Sequence, residues 1–204
     1  MLLPSFVIGH SVILLIIIMI INDTEYLKTF EYRLEKDLLK LCTDYGKLEG
    51  TMLSCEDIDH QWTVMAPEYM ADAVPEVQRY PVVSVAWAMY LGMAVAYGWD
   101  ADWEKTKTLP YQHYYGKDGF DDMDEHICSQ VLGVPLISEV YKDLENLVRR
   151  CGEETVAHIR NEHIEPSTPM AFHVFARSTK VMFRIGAALQ LRKMGYKMEQ
   201  VKLS

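Results

Sequence analysis

The sequence contains no CxxC pair, and its four cysteines, Cys42, Cys55, Cys128 and Cys151, stand far apart. That excludes the common zinc-ligand arrangements and points to reduced thiols in a reducing compartment rather than a disulfide framework. Basic charge is also short, with 20 Lys and Arg against 29 Asp and Glu, a formal net charge of −9. Binding along a phosphate backbone needs a net basic face, so no nucleic acid is expected as a main partner. No G-x-G-x-x-G, P-loop, G-x-S-x-G or H-E-x-x-H occurs, which removes the commonest dinucleotide, phosphate, hydrolase and zincin chemistries. Hairpin signals are missing too, since Asp118-Gly119 follows a loop and not an alternating stretch. Internal repeats, low-complexity tracts and interdomain linkers are absent.

What is present suits one core. Half of the 204 residues are hydrophobic and 24% are charged, ordinary globular composition for a single domain. The spacing of apolar residues predicts an all-α fold: a single irregular bundle of about six or seven helices over 22–204, preceded by an apolar segment over 1–21.

Residues 2–21 carry no charge, and Val12–Ile21 is ten consecutive large apolar residues. Twenty helical residues rise about 30 Å, enough to cross a bilayer's hydrocarbon core. The lack of a basic start and of small residues near Ile21 argues against a cleaved signal peptide. Two readings stay open: a membrane anchor giving membrane contact through 2–21, or translation beginning at Met19. The second gains from Asn22 and Glu25, a capping-box-like pair. Under the first, Lys28, Arg33, Lys36 and Lys40 follow the run and none precedes it, so the positive-inside rule puts the body in the cytoplasm, tethered to the inner face of the membrane.

Leu27, Phe30, Leu34, Leu38, Leu41, Tyr45 and Leu48 form one stripe of a long amphipathic helix ending near Gly46 and Gly50. Ser54 is placed to open a second helix carrying Ile58, Trp62 and Met65 inward, and Pro67 and Pro75 predict broken helix over 66–80. Pro81 opens a third, running to about Gly98 and uncharged from Val82 to Trp99, which reads as the buried centre of the bundle. Its Ser84, Ala88, Gly92 and Ala96 recur every four residues, a small ridge suited to close helix approach. That ridge is either an internal contact or a homodimer seam. Asp100 is expected to cap a short helix to Thr108, an aromatic loop follows to Gly119, and Phe120–Leu132 reads as helix. Pro135 is expected to start a long helix reaching His163, and Thr168 with Pro169 to start the last. Residues 171–204 hold seven basic residues against Glu199 alone, a strip expected to lie on the chain's own acidic surface.

Two constellations could carry chemistry. Acids precede histidines by about one helical turn at Glu56/Asp57–His60, Asp122–His126 and Glu154–His158, with Glu162 a further turn on. Positions four apart share a helix face, and helical bundles hold metal pairs with inward carboxylates and histidines; exposed i,i+4 pairs give the same pattern. The second is the loop with Tyr111, His113, Tyr114 and Tyr115, amphipathic rings that could line a ligand pocket or simply cover a bundle end. The expected function is accordingly a cytoplasmic binding or interaction module without catalysis of its own, the alternative being a bundle metalloenzyme with carboxylate–histidine ligands.

Overall fold

The computed structural model describes residues 10–197, with side chains from Asp23 onward. Among the described residues there are no strands and six helices: α1 (His10–Asp44), α2 (Glu56–Glu76), α3 (Pro81–Thr106), the single turn α4 (Met123–His126), α5 (Glu139–Asn161) and α6 (Pro169–Lys193). The chain is all-α, as its periodicity predicts. The expectations on residues 1–21 concern side chains outside the described set. Backbone of α1 nevertheless passes through Asn22 without a break, so no helix starts at the Asn22–Glu25 pair.

α3 occupies the centre. Its apolar stretch is long enough to cross a membrane, yet 67% of the most apolar 18-residue window is buried inside the bundle. α6 packs along it at very close range. A Cβ on Gly92 would fall 1.9 Å from the Phe183 carbonyl oxygen, and one on Gly186 would fall 1.9 Å from that of Met89. The backbones therefore meet at two glycines, each nested against the other helix. Ser84, Ala88, Gly92 and Ala96 are all buried, and the tight approach at Gly92 comes from α6 of the same chain. Of the two readings of this ridge, the internal contact is the one seen at Gly92. α5 crosses another side of α3 at Gly152, where an added Cβ would meet Val82 at 2.9 Å.

The basic last helix lies on acidic α1. Lys180 and Arg177 both donate to Glu31, Arg184 pairs with Glu35 and sits 3.4 Å from Asp59, and Arg192 pairs with Glu49. Burial pushes the Glu31 carboxyl up, but Lys180 and Arg177 outweigh it and hold it below the ordinary carboxylate range.

Several boundaries depart from the sequence reading for local reasons. α2 runs unbroken through Pro67 and Pro75. The carbonyls each proline leaves without an intrahelical donor belong to Thr63 and Ala71, both exposed, so water can take them. α2 begins after Cys55, not Ser54, with no side-chain cap, and Glu56, Asp57 and Asp59 in its first turn complement the helix dipole. The break in α3 falls at Asp102 (φ −165, ψ 88), whose Oδ1 accepts from Lys105 N at 3.2 Å; Asp102 rather than Asp100 caps the last turn. α5 starts at Glu139 and not Pro135, because Ser138 accepts from Tyr141 N at 3.1 Å. Thr168 and Pro169 open α6 as expected, with the Thr168 side chain accepting from Ala171 N.

Candidate functional site

The acid–histidine pairs do not come together. Glu56, Asp57 and His60 lie exposed at the start of α2, where Asp57 accepts from Trp99 Nε1 at 3.2 Å. Asp122 folds back to accept from the Asp118 backbone N–H at 3.0 Å, one turn before half-buried His126. On α5, His158 Nε2 stands 3.2 Å from Asp37 of α1 and 3.6 Å from Glu154. Glu162 accepts from Tyr26 and, at 2.7 Å, from Arg33. These contacts stitch α5 to α1. Among the described residues no group of three or more His, Cys, Asp or Glu is placed to hold a metal ion.

The aromatic loop covers the α2–α3 end of the bundle. Tyr111 sits edge-on to Tyr69 at 6.3 Å and to Tyr115 at 5.2 Å, and Tyr115 donates to Asp72. Tyr111 and Tyr114 are each 1% exposed, and their hydroxyls find no hydrogen-bond partner among the described residues. His113 is exposed and packs edge-on against Tyr114 at 5.3 Å. Partial burial, with His126 and Lys105 nearby, lowers its pKa, so the imidazole is disfavoured as a cation. The four residues are brought together, but around ring packing.

An apolar concavity lies elsewhere, at the end of the bundle where α1 and α6 stop. It is a half-open cleft of about 330 Å³. Its walls are Met93 of α3, Leu132 after α4, Val140, Leu144 and Leu147 of α5, and Leu189 of α6. The α5 residues follow at intervals of four and three, one helical stripe. Leu147 is buried, whereas Val140 remains 58% exposed, so this stripe runs out of the core and into the cleft. α1 ends just before Gly46, whose φ of +69 suits glycine and turns the chain. That turn brings Lys47 into the lining of the same cleft as Arg192 and Lys193.

Leu132 is placed by a π turn at Ile127–Val131, in which Leu132 N donates to Ile127 O at 2.9 Å. Such wide turns accompany functional sites often enough to mark a region for attention. Around it stand Asp124, Cys128 and, on the facing helices, Tyr90, Tyr141 and Glu145. Burial raises Asp124 to about 6 against the backbone N–H groups of Glu125 and Asp124 itself, with the Glu125 and Glu145 charges adding repulsion. Burial, reinforced by Asp124, also pushes the Cys128 thiol up to about 12 although Lys193 opposes it. Cys128, Tyr90 and Tyr141 thus stay protonated beside the apolar wall, whereas the Asp124 carboxyl is mostly ionised at neutral pH.

Compared with known proteins, the chain matches no family model, no curated protein and no solved structure. Sequence reasoning missed the cleft because its lining comes from five separated segments with no shared motif. The available signals were Gly46-Lys47 and Arg192-Lys193, basic residues at two helix ends.

Proposed function

We propose that this chain is a binding module without chemistry of its own, and that the cleft between α1, α3, α5 and α6 is where its ligand sits. The observation that supports this is a concavity of about 330 Å³ walled by leucines, valine and methionine and left open to solvent. Ligand sites are typically preformed clefts of about 300–1,000 Å³ with apolar walls and few polar groups. In keeping with the reduced, spread cysteines and the basic flank after Ile21, the body belongs in the cytoplasm.

The test uses N-phenyl-1-naphthylamine, a neutral apolar fluorophore. Full-length protein should enhance its emission saturably with one-to-one stoichiometry, and Val140→Trp, which fills the cleft from an exposed position, should abolish the enhancement. Equal enhancement by the variant, or none by the wild type, would contradict the reading.

A further inference from the structure

We infer that the cleft takes a single-chain amphipathic carboxylate, of the medium-chain fatty acid class, with its chain on the leucine wall and its head group at Lys47 and Lys193. This rests on reading the cleft as a ligand site. The charge pattern selects the anion. The chain has a net charge of −9, yet three cations, Lys47, Arg192 and Lys193, converge on this one apolar mouth. Elsewhere the cations of α6 are matched to carboxylates, Arg177 and Lys180 to Glu31 and Arg184 to Glu35. At the mouth only Arg192 is matched, to Glu49. Lys47 and Lys193 are exposed and make no ion pair among the described residues. A carboxylate placed between them gains charge-assisted hydrogen bonds at the edge of an apolar wall, where salt and water screen less than on an open surface.

Size and shape select the rest. About 330 Å³ is at the small end of ligand sites, which suits one hydrocarbon chain and not two. The cations Lys47 and Lys193 are exposed at the mouth while the walls, Gln190 apart, are hydrocarbon, the division of an acyl carboxylate. A two-chain lipid is disfavoured because the cleft has room for one hydrocarbon chain.

Isothermal titration of the full chain with octanoate, decanoate and dodecanoate, each below its micelle concentration, tests this beside decanol, decyltrimethylammonium and phosphatidylglycerol vesicles. Affinity should tighten about fourfold per added methylene until the cleft is full. Decanoate should bind about tenfold or more tightly than decanol. The double variant Lys47→Ala/Lys193→Ala, both sites exposed, should remove that preference while keeping decanol binding. Equal binding of decanol and decanoate, or preference for the ammonium, would overturn the carboxylate assignment and leave the cleft as a site. Tighter binding to vesicles than to monomeric decanoate would overturn the single free chain. No heat with any probe would overturn the assignment together with the reading of the cleft.

Discussion

Replacing Gly92 by alanine probes the closest contact in the molecule. Helix propensity alone favours the change, since alanine is better than glycine in a helix interior by about 1 kcal/mol. The structure opposes it, because the added methyl would lie 1.9 Å from the Phe183 carbonyl oxygen and 2.8 Å from its carbon. Those are backbone atoms of α6, so no side-chain rotation relieves the clash and the two central helices must separate. Overpacking of this kind costs about 1–3 kcal/mol, and a rigid backbone neighbour puts the site at the upper end. After the propensity gain, the net expectation is a loss of about 2 kcal/mol, or roughly 4–8 °C in Tm for a domain of this size. Thermal unfolding followed by circular dichroism measures it. Gly152→Ala is the matched control, because its nearest obstacle is the Val82 Cγ1 methyl at 2.9 Å, the end of a side chain, and its Tm should fall much less. A Gly92→Ala protein as stable as wild type or more so would refute the helix crossing.

Two further outcomes follow from charge and location. The Asp124 carboxyl is raised to about 6 by burial, with Glu125, and Glu145 from α5, adding repulsion, and Tyr90 of α3, Tyr141 and Cys128 sharing its surroundings. In the unfolded chain an aspartate titrates near 3.9. Below pH ~4 it is neutral in both states and costs nothing; between about 4 and 6 the folded state loses stability, and above that the loss is constant. Asp124→Asn should therefore match wild type at pH 4 and exceed it at pH 7.5 by about 1–2 kcal/mol, allowing for partial solvent screening; a Tm difference independent of pH would contradict this. Cell fractionation of the full chain and of a chain starting at Met19 decides between the two readings of residues 2–21: an anchor places only the former in the membrane pellet, and equal soluble recovery removes the anchor.

Local signals were legible. Thr168-Pro169 names the start of α6 because the cap is made within four residues. The stripe from Leu27 to Leu38 names the inner face of α1, but the buried position one turn beyond is Cys42, while Tyr45 is 43% exposed. Features depending on distant neighbours were not legible. The ridge through Gly92 announces a close contact, but its partner Gly186 lies on another helix far along the chain. The prolines of α2 read as breaks because exposure of the Thr63 and Ala71 carbonyls is settled by tertiary packing. Acids one turn before histidines look alike whether they face a metal or, like His158 and Asp37, bind one helix to its neighbour. The cleft was hidden for the same reason, as Val140 belongs to an ordinary stripe until the ends of α1 and α6 leave it uncovered.

Methyl-labelled NMR of the full chain titrated with decanoate bears most directly on the cleft as a binding site. The methyls of Leu132, Val140, Leu144, Leu147 and Leu189 should shift together along one saturable curve, while those of Ile58 and Val174, elsewhere in the core, stay put. Shifts spread evenly over the molecule, or none at these five at saturating ligand, would contradict it.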